Sequence, residues 1–193
     1  MLIKPKLNND EILKAEYNYI ANTVFQANED RSRVASFYFV TVGSLVAAIL
    51  STLFSANDLK NISLAFSGLF LVLTILGALT LAQLARLRAA WHESVQAMNE
   101  IKDFYIKHNK EIEPAFKWRL KTLPPTDKPN SIANLLAFEV AFLSAITSAA
   151  SIYFLLRSLG DIEWWSWVIL IATLFAGYTA QWTWYKHLLV DNQ

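Results

Sequence analysis

The side chain best able to do chemistry in this chain is Glu139, because it interrupts a long apolar stretch, "ANLLAFEVAFLSAITSAASIYFLL", residues 133–156. Burying an unpaired carboxylate costs several kcal/mol, so an acid in such a place needs partners or water. Gln181, Gln83 and Ser36 fall at a similar distance from the polar ends of their own apolar stretches. We therefore predict a layer of polar groups at one depth, with Glu139 at its centre.

Two interpretations of this polar layer remain open. In the first, it is a hydrogen-bonded cluster inside one subunit, and Glu139 is protonated. In the second, it lines a pore or a water-filled vestibule in an oligomer, since carboxylates inside membranes nearly always face a bundle interior or water. A third role is ion or proton coupling in a small transporter. No apolar stretch contains the internal proline that would favour a broken transport helix, so this role is disfavoured.

A second group of charged residues lies beside the first two apolar stretches. If residues 34–85 form a helical hairpin that turns near residue 59 or 60, the acids of "NEDRSR" (28–33) face the first arginines after residue 85. The cluster comprises Glu29, Asp30, Arg31, Arg33, Arg86 and Arg88. An ordinary set of solvated ion pairs, worth little energy, is one interpretation. The other is a membrane-proximal latch that a signal releases.

A third candidate site is the basic segment "EPAFKWRLKTL", in which aromatic or apolar residues alternate with cations. Its candidate lipid-contacting residues are Lys117, Trp118, Arg119 and Lys121. One interpretation is a short helix on the inner leaflet, with cations toward lipid phosphates. The alternative is a plain basic loop.

Other chemistry is poorly represented in the sequence. The chain has no cysteine, which excludes disulfides and thiolate metal sites. Its five glycines form no phosphate-binding loop, and its three histidines lack metal-ligand spacing. We therefore expect no enzyme activity, no cofactor, no metal and no direct contact with nucleic acid.

The elements that position these residues are long and apolar. Of the 193 residues, 54% are hydrophobic, and they concentrate in four blocks of the length that a bilayer-spanning helix requires. The predicted spans are residues 34–55, 63–85, 134–156 and 162–185. We predict an all-α, polytopic membrane protein with four transmembrane helices.

The charges between the blocks predict an orientation. Of the 17 Lys and Arg residues, only Lys60 and Arg157 lie in the two short loops, and the other fifteen lie in the termini and the long central segment. By the positive-inside rule, both termini and the central segment are cytoplasmic.

Two spans continue into polar segments without a helix breaker. An apolar pattern at spacings of three and four continues from residues 1–33 into the first span and from the second span into residues 86–109. We predict continuous helices from Asp10 to Ser55 and from the second span to Asn109, paired as an antiparallel cytoplasmic stem. Residues 110–133, rich in basic residues and proline, form a linker, and 186–193 form a cytoplasmic tail.

This layout of helix, span, span and helix resembles the SMODS- and SLOG-associating two-TM effectors and the related four-TM effectors of bacterial anti-phage defence. The residues that carry the resemblance are "EYNYIANTVFQANEDRSRV" (16–34) and the stem after Arg86. It implies a bacterial inner-membrane protein that oligomerises and perturbs or permeabilises the membrane when a partner signals infection. It implies no catalytic residues.

Three functions therefore compete. The first is such a membrane effector, a homo-oligomer in contact with membrane lipids whose stem receives a signal from a cytosolic protein. The second is a sensor or anchor that recruits a cytosolic defence partner through the stem without forming a pore. The third is the small transporter that would use Glu139.

Overall fold

The computed structural model describes residues 9–53 and 59–190, and helices account for nearly all of them. The described residues contain no strand. The four long helices are α1 (Asn9–Leu53), α2 (Leu59–His108), α3 (Ile132–Leu159) and α4 (Trp164–Val190). Two short 3-10 helices, Lys110–Ala115 and Leu120–Thr122, lie between α2 and α3. The prediction of an all-α chain is confirmed for this part of the protein.

The first two helices are unusually long, at 45 and 50 residues. Neither contains a proline, and a glycine in a helix interior costs only about 1 kcal/mol, so nothing breaks them. The predicted end of the first helix, Ser55, and residues 54–58 of the connecting loop lie outside the described residues. After α2, Asn109 turns the chain, and its side chain accepts a hydrogen bond from the Glu111 amide at 3.1 Å.

Antiparallel packing places α2 at the centre of the bundle, where it contacts the other three long helices. The α2–α3 pairing is fixed by two hydrogen bonds: the Ser144 hydroxyl donates to the Thr74 carbonyl at 3.1 Å, and the Ser151 hydroxyl donates to the Ser67 carbonyl at 2.9 Å. Helix α4 packs mainly on α3, and α1 packs mainly on α2.

The α1–α2 pair stays together through the polar parts of both helices, residues 9–33 and 86–108. Leu13 and Tyr17 of α1 share a groove with Ile101 and Tyr105 of α2, far along the chain from the apolar blocks. The apolar pattern of these segments therefore packs helix against helix.

Small residues bring α2, α3 and α4 close together. Ala137, Ala141 and Ala145 of α3 are fully buried, which agrees with the packing role of small residues at four-residue spacing. Three alanines of α4 at the same four-residue spacing, Ala172, Ala176 and Ala180, are exposed instead. Of these two sets of alanines, only the set on α3 contributes to the interior of this subunit.

Three helices are long and apolar enough to cross a membrane, and they are α1, α2 and α3. Helix α4 spans 27 residues but is not among them. It is rich in Trp and Tyr, which are amphipathic and favour membrane interfaces over the hydrocarbon. The described chain is therefore a helical bundle with the architecture of a membrane protein.

Of the two interpretations of the segment between α2 and α3, a short surface helix and a basic loop, the helix is not formed. Lys110–Ala115 is a 3-10 helix that contains Pro114, and residues 116–119 follow without helical structure. Phe116 has extended dihedrals, φ −95° and ψ 92°, so the alternation of aromatic and basic residues lies on irregular backbone. The Ser131 side chain then caps α3 by accepting a hydrogen bond from the Asn134 amide at 3.3 Å.

Candidate functional site

The predicted polar layer is not assembled within one subunit. Glu139, Gln83 and Ser36 are all exposed on the outer faces of their helices, and only Gln181 is partly buried. The described residues offer Glu139 no hydrogen bond and no ion pair. The expectation that Glu139 faces the interior of its own bundle is wrong, because the neighbouring Val140 takes the buried position.

The interior polar contacts lie deeper in the bundle. The Gln181 amide donates to the Ser144 hydroxyl at 2.9 Å, and Ser144 in turn donates to the Thr74 carbonyl. The hydroxyls of Thr74 and Thr147 are 3.0 Å apart. These four residues, called here the hydroxyl network, join α2, α3 and α4. Sequence reasoning missed three of them, since serine and threonine in apolar helices usually bond their own backbone.

Three helices approach one another closely beside the hydroxyl network, at Gly77. A Cβ atom placed on Gly77 would come within 2.6 Å of both the Ser144 Cβ and the Tyr38 hydroxyl oxygen. Real Cβ atoms essentially never come that close to another heavy atom. Glycine at this position therefore allows α1, α2 and α3 to meet.

We expect Ser144→Ala to lower the free energy of unfolding by about 1 kcal/mol, because hydrogen bonds between membrane helices are typically worth about 0.6 kcal/mol each and Ser144 makes two. Ser36→Ala is the matched control, since Ser36 is exposed. Thermal unfolding of the purified protein in detergent measures both. Equal stability of the two variants would show that the hydrogen bonds of Ser144 do not stabilise the bundle.

The predicted ion pairs between α1 acids and α2 arginines are not formed. Arg33 pairs with Asp30 of its own helix, with 3.6 Å between the guanidinium nitrogen and the carboxylate oxygen. Glu29 and Arg86 are exposed. This part of the prediction is wrong because Arg88, one of the arginines expected to face the acids, turns inward to other partners, and Arg86 stays exposed.

The two inward arginines are Arg31 of α1 and Arg88 of α2, which are 7% and 5% exposed. Arg31 bonds the Asn28 side-chain oxygen. Arg88 donates from Nε to the Thr126 carbonyl at 3.0 Å and from Nη2 to the Pro125 carbonyl at 3.4 Å. Its guanidinium also lies 4.5 Å from the centre of the Trp91 ring. We call Arg31 and Arg88 the arginine pair.

The arginine pair has no carboxylate within 4 Å among the described residues. Burial lowers the pKa of both guanidinium groups, and the nearby charge of Arg88 lowers the pKa of Arg31 further. Arginine nevertheless stays charged in proteins. Tyr185 of α4 is also buried here, so the arginine pair lies where α1, α2, α4 and the linker converge.

The linker is held against α2 at a second point through Arg119. This side chain pairs with Asp103 of α2 at 3.7 Å and with Glu113 of the linker. The Lys102 ammonium also donates to the Trp118 carbonyl at 3.4 Å. Of the predicted lipid-contacting residues, Lys117, Trp118 and Lys121 are exposed, whereas Arg119 has acidic partners within the protein.

His92 lies half-buried on α2, one turn beyond Arg88. Burial and then the charge of Arg88 lower the pKa of the His92 imidazole, and Glu93 opposes them. An unfolded chain therefore takes up this proton at a higher pH than the folded chain. The folded state loses stability as the pH falls through the ordinary histidine pKa, about 6.5. Above that pH the imidazole is neutral in both states, and His92 does not change the stability with pH.

We expect His92→Gln to reduce the loss of thermal stability between pH 7.5 and pH 5.5. The measurement is the melting temperature in detergent at both pH values, alongside an NMR titration of the imidazole in the unaltered chain. An imidazole pKa at or above the ordinary value would contradict the assignment.

No group of three or more His, Asp or Glu side chains suited to a metal ion occurs in residues 9–53 and 59–190. Comparison of the chain with protein-family models, curated proteins and solved structures finds no match. Function therefore has to be argued from the geometry of the bundle.

Proposed function

We propose that this chain crosses a bacterial inner membrane four times, with both termini and the linker in the cytoplasm. The distribution of Lys and Arg supports this orientation. The 27-residue length of α4 supports a fourth span, since about 20 residues suffice to cross the hydrocarbon. In this arrangement, residues 9–33 and 86–108 form a paired cytoplasmic stem.

The proposed function is a membrane effector of an anti-phage defence system, which is the function that the resemblance in layout implies. The chain forms an oligomer, its stem receives a signal from a cytosolic protein, and its spans then perturb or permeabilise the bilayer. The observation that carries this proposal is the continuity of α1 and α2, each a single helix with an apolar and a polar part. A displacement of the stem therefore reaches the membrane without a flexible joint.

A second function is favoured by the surface of the stem. Large apolar side chains on its outer faces are 46–69% exposed, and they are Ile12, Tyr19, Phe25 and Phe104. Ile12 and Tyr19 lie seven residues apart, two turns along one face of α1, and an exposed apolar patch outside a membrane is typical of a protein-binding surface. In this alternative, the chain is a sensor or anchor that recruits a cytosolic partner and forms no pore.

Topology is tested first, by labelling single cysteines with a membrane-impermeant maleimide. The chain has no native cysteine, so Glu93→Cys on the stem and Trp164→Cys at the start of α4 each report one exposed position. The proposal requires that Trp164→Cys is labelled in cells whose outer membrane is permeabilised and whose inner membrane is intact. Glu93→Cys should be labelled only after lysis. The reverse pattern would overturn the proposed orientation.

The effector and anchor functions are separated by membrane potential. The chain is expressed with and without its neighbouring genes, cells are challenged with phage, and a potential-sensitive dye is followed. An effector depolarises the cells on challenge, whereas an anchor leaves the potential unchanged and co-purifies with a cytosolic protein. Charge-reversing substitutions on the stem, such as Lys107→Glu, serve as a test of signal reception.

A further inference from the structure

Glu139 occupies a face of α3 that no other described part of the chain covers. Four apolar side chains share this face at helical spacing and are 39–78% exposed: Ile132, Leu135, Phe142 and Ile146. An ionisable side chain inside a membrane almost always has a polar partner or water. The face therefore requires a neighbour that supplies polar atoms at the depth of Glu139.

The depth of Glu139 follows from the pairing of α2 with α3. Ser144 bonds the carbonyl of Thr74, and the two helices are antiparallel. Glu139 lies five residues before Ser144, so it is level with the residue five after Thr74, which is Leu79. Both positions lie about one turn or more inside the predicted polar ends of their spans.

At that same depth, the other side of the bundle has an open groove of about 420 Å³ between α1 and α2. Its polar lining includes Arg33, Thr80 and Gln83. Its apolar lining includes Phe37 and Leu79. Because Thr74 bonds α3 from the opposite side of α2, this groove faces away from α3.

We propose that the groove binds a second copy of this chain, which inserts the Glu139 face of its α3. Glu139 of one subunit then lies level with Leu79 and Thr80 of the next, about one turn deeper than Gln83 and Arg33, whose side chains extend toward it. The neighbouring Phe142 and Leu135 pack on the apolar lining. This inference rests on the proposed function in one respect, because it supplies the contact through which the proposed oligomer forms.

Charge complementarity favours a second copy over a lipid. The guanidinium of Arg33 is largely exposed, and its one ion pair, with Asp30 at 3.6 Å, leaves other donors free for a carboxylate. A lipid acyl chain in the groove would satisfy the apolar lining but would leave Glu139 without a partner. The two surfaces lie on different sides of the subunit, so the contact is head-to-tail and generates a ring or an open array.

Disulfide cross-linking in membranes tests the contact directly. By the same register, Phe142 of α3 is level with Leu76, which lines the groove. Oxidation of the double variant Phe142→Cys/Leu76→Cys should give a ladder of dimers, trimers and higher species. Each single variant should remain monomeric, and co-expression of the two single variants should give dimers only.

A charge exchange tests the polar partners. In the double-cysteine chain, Glu139→Lys or Arg33→Glu alone should lower the cross-linked fraction by about tenfold, the coupling expected of directly interacting residues. Glu139→Lys with Arg33→Glu should restore it. The matched control is Lys117→Glu, a reversed charge in the linker, which should leave cross-linking unchanged.

Three outcomes would overturn the inference. A dimer from Phe142→Cys alone would show a symmetric α3–α3 contact, and a monomer that retains bound phospholipid in native mass spectrometry would assign the groove to lipid. Depolarisation without the ladder would leave the proposed function standing and remove this contact. Conversely, the ladder without any depolarisation would support the contact and remove the pore-forming function.

Discussion

Gly77→Ala should destabilise the protein strongly, although glycine to alanine is usually favourable inside a helix. The new methyl group would come within 2.6 Å of the Ser144 Cβ and the Tyr38 hydroxyl, so α3 or α1 must move. Overpacking of this kind typically costs about 1–3 kcal/mol, and the gain in helix propensity of about 1 kcal/mol offsets only part of it, so the net loss should reach about 2 kcal/mol. We expect a clear fall in melting temperature and a loss of the monodisperse species in detergent.

The control is Gly68→Ala on the same helix. Nothing lies within 4 Å of the position that its Cβ would take, so this variant should be equal in stability to the unaltered chain or up to about 1 kcal/mol more stable. Adding Ser144→Gly to Gly77→Ala removes the nearest obstructing atoms and should recover part of the lost stability. If Gly77→Ala and Gly68→Ala melt alike, α1, α2 and α3 do not meet as described.

Arg88→Met should release the linker from α2 while leaving the four long helices folded. Hydrogen bonds from a charged donor contribute about 1.5–3 kcal/mol, and Arg88 gives two of them to linker carbonyls. Methionine fills the buried space without a donor, and it also removes the repulsion between the arginine pair. The expected result is a linker that opens at least about tenfold more often, since 1.4 kcal/mol corresponds to a factor of ten.

The measurement uses Thr126→Cys, a buried position in the linker of a chain without native cysteine. Maleimide should label this cysteine slowly when Arg88 is present and at least about tenfold faster in the Arg88→Met background. Arg86→Met is the matched control because Arg86 is exposed and lies two residues away. Arg88→Lys keeps the charge but loses the planar guanidinium that donates to both carbonyls. Its labelling rate should therefore be closer to that of Arg88→Met than to that of the unaltered Arg88. Equal labelling in all four backgrounds would contradict the role of Arg88.

The helices could be predicted well because their causes are local. Apolar periodicity without proline predicts the long α1 and α2, and the end of α2 at His108 lies one residue from the predicted Asn109. The third span, predicted over residues 134–156, lies within α3, Ile132–Leu159. Each of these boundaries depends on residues within one or two turns of itself.

The faces of the helices could not be predicted in the same way. Counting residues from the ends of spans estimates the depth of Glu139, Gln83 and Ser36 but not the direction in which each side chain points. A rotation of about 100° per residue separates Glu139 from the buried Val140, and tertiary packing decides which of them is inside. Residues at one depth were therefore mistaken for residues in one cluster.

The partners of Arg88 were missed for a different reason. The sequence pattern offered Glu29 and Asp30 as counter-charges, whereas the observed acceptors are backbone carbonyls at Pro125 and Thr126. Every residue has a backbone carbonyl, so the sequence does not indicate which carbonyl accepts a hydrogen bond. The path of a proline-rich linker also depends on distant contacts. The one relevant signal in the sequence is the run of prolines, which restricts the backbone conformation around those carbonyls.

In the proposed arrangement, the unbroken helices α1 and α2 act as rigid rods, and Arg31 of the buried arginine pair lies near the middle of α1. Twenty-two residues of α1 precede Arg31, a rod of roughly 33 Å at helical rise. A sideways push of about 3 Å at its tip is a tilt of about 5°, and a rigid rod of that rise swings its opposite arm by a similar distance. In the proposed arrangement, a protein that docks at the exposed Ile12 or Tyr19 and tilts α1 about Arg31 would therefore displace the far end of the first span by about 3 Å.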